Sequence, residues 1–164
     1  MQDLRLFTVD EAYVDYLIRF APHMFHNSQT GQTNTRKYIG VILSVNGIEY
    51  FAPLSSMKPK HRKMKESVDF LKVGDYAVIN INNMFPVPNG LAVYVDFSKE
   101  RDPRYRSLLL AEYRIIKQKQ DLIRKNAQTL YRLVTQNKGE SSLLNRCNDF
   151  ELLEKACKEY QSIR

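Results

Sequence analysis

The sequence predicts an α+β fold, a compact, curled antiparallel β-sheet decorated by helices, with a helical C-terminal half. Two observations carry this. Up to about residue 95, hydrophobic positions alternate over short runs punctuated by Gly, Pro and Asn; from about Pro103 onward they recur at helical period. The chain has 164 residues, 43% hydrophobic and 26% charged, with six Gly and six Pro. That is globular usage, and the length suits one domain, residues 1–164, able to bury a core without disulfide or metal staples.

Leu4 to Val9 alternates as a short strand. Thr8-Val-Asp-Glu11 then has capping-box spacing ahead of Tyr13, Tyr16, Leu17 and Phe20, an apolar helical stripe. Residues 27–35 (NSQTGQTNT) are polar and read as an exposed loop. Tyr38 to Val45 and Ile48 to Leu54 flank Asn46-Gly47, the pair favoured in a two-residue type I′ turn, so a β-hairpin is expected. Counting back from a tight turn sets Val45 opposite Ile48, Leu43 opposite Tyr50, Val41 opposite Ala52 and Ile39 opposite Leu54. One further step sets Lys37 opposite Ser56. Pro53 cannot donate to the ladder, and a bulge there would slip the register by one and bring Arg36 into that place.

Residues 74–82 (GDYAVININ) read as another strand, and Leu91 to Val95 as a further one after the turn cluster Pro86-Val-Pro-Asn-Gly. Leu109, Tyr113, Ile116, Ile123, Ala127, Leu130 and Val134 then keep one apolar face, as a long helix or as two in phase with a kink near Gln120-Asp121. Asn148-Asp-Phe-Glu151 has cap spacing for a last helix carrying Leu153, Ala156, Tyr160 and Ile163. No repeat at solenoid period occurs.

Twenty-five Lys and Arg against 18 Asp and Glu give a formal charge of +7, a balance that attracts polyanions, nucleic acid first among them. No apolar run reaches the roughly 20 residues of a membrane span. The N-terminal Met1-Gln-Asp-Leu-Arg lacks the order of a signal peptide, so the expected location is cytoplasmic, with no membrane partner. Cys147 and Cys157 lack CxxC spacing and are expected as buried or half-buried, reduced thiols.

The densest cationic stretch, Lys58-Pro-Lys60-His-Arg-Lys63-Met-Lys65, directly follows the hairpin and its Ser55-Ser56. Cleaving a phosphodiester needs an in-line nucleophile, proton transfer, and cations where charge builds on the phosphoryl oxygens. RNA supplies the nucleophile as its 2′-hydroxyl. Lys58 with Arg36 or Lys37 would stabilise that charge, Ser55 and Ser56 would hold the phosphate, and His61, with an unperturbed pKa near ~6.5, is a candidate for one proton transfer. Taken singly, each has a plainer use: a solubilising loop, a turn, an exposed imidazole. It is their convergence on one sheet end that points to chemistry. Arg101, Arg104, Arg106, Arg114 and Lys117 interleave with Tyr105 and Tyr113, the mixture of charge and stacking faces that grips single-stranded RNA, with Tyr113 assigned to the core and Tyr105 to stacking. GxSxG, Walker, HExxH and GxGxxG signatures are absent, and Asp96, Asp102 and Asp121 are scattered, so neither a cofactor nor a metal site is expected.

These residues resemble the ToxN/AbiQ family, the toxins of type III toxin-antitoxin systems, over nearly the whole chain. The resemblance rests on Arg36-Lys-Tyr-Ile-Gly-Val41, on Tyr50-Phe-Ala-Pro-Leu-Ser-Ser-Met-Lys58, on Ile79-Asn80 with Pro86, on the helix entry from Pro103 to Leu108, and on Cys147-Asn-Asp-Phe-Glu-Leu-Leu-Glu154. It implies a sheet similar to the MazF/Kid toxins and metal-independent endoribonuclease activity leaving 2′,3′-cyclic phosphate and 5′-hydroxyl ends on cellular mRNA and other RNA. It also implies neutralisation by a repeat-derived RNA pseudoknot antitoxin in a cyclic toxin-RNA hetero-oligomer, with growth arrest and abortive infection as phage defence. Carried over by position, the family's serine falls on Ser56, the hydroxyl before it on Ser55, the lysine after it on Lys58 and the opening basic residue on Arg36. Gln32 stands where some relatives have a tyrosine. Lys60, Arg62, Lys63, Lys65, Arg104, Tyr105, Arg106 and Asn80 complete the expected RNA-binding set. Two alternatives stay open: a non-catalytic RNA-binding module, and a MazF-like ribonuclease toxin held by a protein antitoxin.

Overall fold

Residues 2–27 and 34–164 are described by the computed structural model. β1 (Arg5–Val9) leads into α1 (Glu11–Ile18), whose cap is Asp10 rather than Thr8: the Asp10 carboxylate accepts the Tyr13 N–H at 3.0 Å. The hairpin follows as β2 (Tyr38–Val45) and β3 (Ile48–Ser56), and Asn46 and Gly47 both take positive φ, 51° and 79°, as the tight turn requires. α2 (Pro59–Lys63), β4 (Phe70–Val73), β5 (Ala77–Asn80), β6 (Phe85–Val87) and β7 (Ala92–Tyr94) come next, then α3 (Pro103–Thr135), α4 (Ser141–Arg146) and α5 (Phe150–Ile163). The α+β expectation holds, with strands before and helices after.

Near the turn the hairpin pairs as expected, Val45 with Ile48 and Leu43 with Tyr50. Past Leu43 the register changes, and Ile39 pairs with Ala52 instead of Leu54. The irregularity lies in β2, between Ile39 and Leu43, and not at Pro53, which sits in register opposite Tyr38. Gly40 lies inside it, where a Cβ would overlap the Phe51 ring. The offset reaches the open end of the hairpin, where the Leu54 N–H donates to the Lys37 carbonyl at 3.0 Å. Lys37 therefore lies across from Leu54, and Arg36 comes level with Ser55.

The strand order is β4-β5-β3-β2-β1-β7, all antiparallel, with β6 paired to β3 beside this path. β3 is the centre of the sheet: β2 runs along one edge, while β6 and then β5 share the other. Tyr50 to Leu54 are buried without a break, so β3 is covered on both faces. Ile39, Tyr50, Ala52 and Leu54 join one core cluster with Leu109, Ile116, Ile123, Ala127 and Leu130 of α3. Phe51 and Phe85 belong to a second, with Tyr13, Val14 and Leu17 of α1 and Leu153 and Ala156 of α5.

Other expectations shift in detail. The strand read at 74–82 is only β5; Gly74, at φ 55°, belongs to the turn between β4 and β5. α3 is one continuous helix of 33 residues, started by Asp102, whose carboxylate accepts the Arg104 N–H, and by Pro103 in its first turn. Asn137, at φ 53°, follows its end. Asp149, one residue after Asn148, caps α5 by accepting the Leu152 N–H. Cys147 and Cys157 are buried and unpaired; burial pushes the Cys147 thiol up to about 12 and raises that of Cys157. Among the described residues, no helix is long and apolar enough to cross a membrane.

Candidate active site

A cleft of about 470 Å³ opens where β3 ends, walled by residues before β2, by the entry to α2, by β5 and by the first turns of α3. Its lining includes Arg36, Lys37, Ser55, Ser56, Lys58, Lys60, His61, Asn80, Tyr105 and Glu112. All six residues expected to act in catalysis line it, with Lys60, Asn80 and Tyr105 of the binding set.

The register offset sets the first contact. The Arg36 Nη1 donates to Ser55 Oγ at 3.0 Å and to the Leu54 carbonyl at 3.4 Å, while its Nε donates to the His26 carbonyl at 3.3 Å. The guanidinium lies over the Phe25 ring, 4.6 Å from its centroid. Burial pulls its pKa down, yet a guanidinium so far above neutrality keeps its charge. Asn80 of β5 adds a second donor to Ser55 Oγ at 3.3 Å. With two donors arriving at its oxygen, the Ser55 hydroxyl is left to donate its own proton, which suits a phosphate oxygen. Ser56, the last residue of β3, is exposed to the cleft.

Asn27 braces this wall. It was expected in an exposed loop, but it is buried: its Nδ2 donates to the Val9 carbonyl at 2.7 Å, and its Oδ1 accepts the Tyr38 hydroxyl at 2.6 Å. Its carbonyl also accepts the Arg36 N–H at 2.9 Å. Residues 28–33 of that loop, Gln32 among them, lie outside the described residues.

At the α2 entry, Pro59 occupies the first helical turn and the Lys58 N–H donates to His61 Nδ1 at 3.0 Å. An Nδ1 that accepts leaves the ring proton of neutral His61 on Nε2, so this imidazole has a donor to offer and no free base nitrogen. Burial and the charges of Lys60 and Lys58 hold its pKa below the ordinary value. Its ring is buried against Phe70, not exposed.

Lys37 takes another position than the serine end. Its Nζ donates to the Thr35 carbonyl at 3.0 Å and sits over the Tyr105 ring at 5.4 Å. Burial lowers its pKa, and Glu100 and Glu112 counter that. Tyr105 is half-buried, and burial, with Glu112 and Glu100 nearby, pushes its hydroxyl up to about 12.

The remaining binding candidates do not line the cleft. Arg62, Lys63, Lys65 and Arg104 are exposed, and Arg62 pairs with Asp75 at 3.8 Å. Arg106 is half-buried, with its guanidinium turned back onto the Glu100 carbonyl. Tyr113 is half-buried against Phe97, at 5.5 Å and 72°. Among the described residues no group of three His, Cys, Asp or Glu side chains converges as a metal cage.

Sequence reasoning missed Glu112. Counted back from Ile116 and Leu109 it falls on the core-facing stripe of α3, where a carboxylate is out of place, and that position was the available signal. Phe25, which seats Arg36, carried no such mark.

An antiparallel sheet with a long helix in the C-terminal half, and a cleft of cations and hydroxyls at one strand end, define an α+β protein with a basic cleft. The sequence profile described as "Toxin ToxN, type III toxin-antitoxin system" matches residues 5–158. The chain belongs to this family. It is similar to Endoribonuclease ToxN of Bacillus thuringiensis subsp. kurstaki, 32% identical over 94% of this chain and 82% of that protein. It is also similar to Endoribonuclease ToxN of Pectobacterium atrosepticum, 27% identical over 96% and 94%, and to Endoribonuclease AbiQ of Lactococcus lactis subsp. lactis, 28% identical over 92% and 86%. One solved structure, from work on type III toxin inhibition by a non-coding RNA pseudoknot, superposes with a TM-score of 0.83 at 28% identity, over 98% of this chain and 99% of the other. That of AbiQ, a lactococcal anti-phage endoribonuclease, gives 0.82 at 25% identity over the same shares.

Proposed function

We propose that this endoribonuclease toxin cleaves RNA without a metal, by directing the 2′-hydroxyl at the adjacent phosphorus, and that residues 1–164 act as a single domain. The observation that carries this is Ser55 Oγ, fixed between Arg36 and Asn80 in a cleft that Ser56, Lys58 and Lys37 also line. The phosphate sits against the hydroxyls of Ser55 and Ser56. Arg36 and Lys58 stabilise the charge that grows on its free oxygens in the transition state, and Lys37, seated over Tyr105, adds to the positive field of the cleft. The 2′-oxygen bonds to phosphorus as its proton passes to a base, and the 5′-oxygen leaves with the bonding pair and takes a proton from the Lys58 ammonium. The products are a 2′,3′-cyclic phosphate and a 5′-hydroxyl. Tyr105 offers a stacking face beside the reacting nucleotide, and Lys60, Arg62, Lys63, Lys65 and Arg104 extend the basic surface for the strand.

The RNA pseudoknot named for the structural neighbour is, by this reading, the antitoxin class that fills the same cleft here. It closes with the toxin into a cyclic assembly in the cytoplasm, and the toxin freed from it cuts cellular RNA, arrests growth and limits phage.

Purified protein incubated with RNA in EDTA tests the reading. Cleavage that stops when the sugar at the cut is 2′-deoxy, with cyclic phosphate on the upstream fragment, is the expected result. Ser56→Ala and Lys58→Ala should each slow it by about 100-fold or more. Salt-dependent binding without new RNA ends would mean a binding module instead. Cutting by Ser56→Ala at the parent's rate would remove the serine from the mechanism.

A further inference from the structure

We propose that Glu112 is the general base of the cleavage, the group that takes the proton from the 2′-hydroxyl. This rests on the RNA-cleaving reading above and fills the one role that reading leaves open.

Tyr105, Leu108, Leu109 and Glu112 line the cleft from α3, the spacing of one helical face. Glu112 is the single carboxylate among the described lining residues. It is buried, with 6% of its surface exposed, and no hydrogen bond engages its carboxyl among the described residues. A carboxylate buried this far, with no partner among the described residues, is costly to ionise, and this one borders the space a nucleotide would fill.

In-line displacement sets what the two groups must do. The nucleophile enters opposite the leaving oxygen, so base and acid must approach the phosphorus from different sides. Glu112 belongs to the α3 wall and Lys58 to the α2 entry, with Ser55, Ser56 and Arg36 from the sheet end completing the cleft. His61 does not compete, because its Nδ1 already accepts the Lys58 N–H.

Burial raises the Glu112 pKa to about 7, and the charge of Lys37 works against that rise. A base titrating near the working pH is strong enough to accept the proton and still largely ionised. The other charged or titratable groups lining the cleft are Arg36 and Lys37 just before β2, Lys58, Lys60 and His61 at α2, and Tyr105 on α3 itself. All but Tyr105 and neutral His61 are cations that favour the ionised carboxylate.

In the step itself the Glu112 carboxylate removes the 2′-hydroxyl proton and becomes neutral. The freed oxygen pair forms the bond to phosphorus, the bond to the 5′-oxygen breaks, and that oxygen is protonated by Lys58. Exchange with water then restores both side chains.

The test is the pH dependence of kcat/KM on a short RNA, which reports ionisations of the free enzyme. For the unaltered protein it should rise about tenfold per pH unit and level off near pH 7, and the inflection should persist in His61→Asn at whatever rate that variant works. Glu112→Gln should lose about 100-fold at pH 7.5 together with the inflection, while its affinity for the 2′-deoxy RNA stays within about threefold. An RNA with sulfur at the bridging 5′ position, whose leaving group needs no proton, should rescue Lys58→Ala and not Glu112→Gln. A flat profile in the unaltered protein overturns the assignment without any variant. So does a Glu112→Gln variant that keeps the inflection, or one that the sulfur substrate rescues. Failure of the unaltered protein to cut RNA at all overturns the cleavage reading as well.

Discussion

Arg36 makes three hydrogen bonds and a ring contact with one planar group, reaching Ser55 Oγ, the Leu54 and His26 carbonyls and the face of Phe25. A lysine keeps the charge but cannot span those directions. Arg36→Lys should therefore lower the cleavage rate by about tenfold or more, from looser placement of Ser55, with little change in long-range attraction for RNA. Single-turnover rates alongside affinity for uncleavable RNA separate the two; an equal fall in both would mean that only charge matters. Glu112 supports a second prediction at this scale. Its pKa rises on folding from the ordinary 4.5 to about 7, chiefly by burial. The folded chain thus holds the proton more tightly, and the stability this brings is complete below about 4.5 and lost as pH rises through about 7. The loss is on the order of 3 kcal/mol by linkage. Glu112→Gln keeps its neutral side chain, so it should melt above the parent at pH 8 and with it at pH 4, a gain in stability where activity is lost. A parent that melts higher at pH 8 would mean that the ionised carboxylate is satisfied in the fold.

Among the elements, α4 is tied to the turn before β4 by a bidentate pair. Arg146 meets Asp69 at 2.7 Å and 3.0 Å, and Ser67 Oγ donates to the same carboxylate at 2.9 Å. Burial alone would raise the Asp69 pKa, but these partners outweigh it and hold the carboxyl below its usual range. Its contribution is present above the ordinary carboxylate pKa and fades as pH falls through the folded value. Arg146→Ala leaves a buried carboxylate without its cation; because the guanidinium is half exposed, the cost should be about 2 kcal/mol, read as a lower denaturant midpoint at pH 7. An unchanged midpoint would mean that water replaces the arginine. The elements also show what a single sequence reveals. The Asn46-Gly47 turn was legible because its residue types have few other uses, and so was α3, whose stripe extends over many turns. The irregularity in β2 was not: its one trace is Gly40, whose need is set by the Phe51 ring, and a contact between strands leaves no local pattern. α2, α4 and β4 are four to six residues each, too short for a period to stand out. Ser55, Ser56, Lys58 and Arg36 were legible as residue types near a strand end, whereas Asn27 and Phe25 act through chain segments that only folding brings beside them.

For the molecule as a whole, the formal charge of +7 acts at long range and the cleft at short range. If Arg36, Lys37, Lys58 and Lys60 each neutralise a phosphate, the affinity for uncleavable single-stranded RNA should fall with a log-log salt slope of roughly −3. Titration between 50 and 200 mM salt measures it. A slope near zero would place the RNA away from the cations. Lys60→Ala should flatten the slope by just under one unit while leaving the cutting position unchanged.

β3 carries a consequence for how this toxin ages and fails. It is flanked by partners on both edges, covered above and below, and ends in the serines, so its backbone amides should exchange with deuterium only when the entire domain opens. No frayed, half-active intermediate is then available: heated or stored protein should retain full cutting power per surviving molecule until it is lost outright. An antitoxin that meets such a target needs only to count molecules, because each one is either armed or gone.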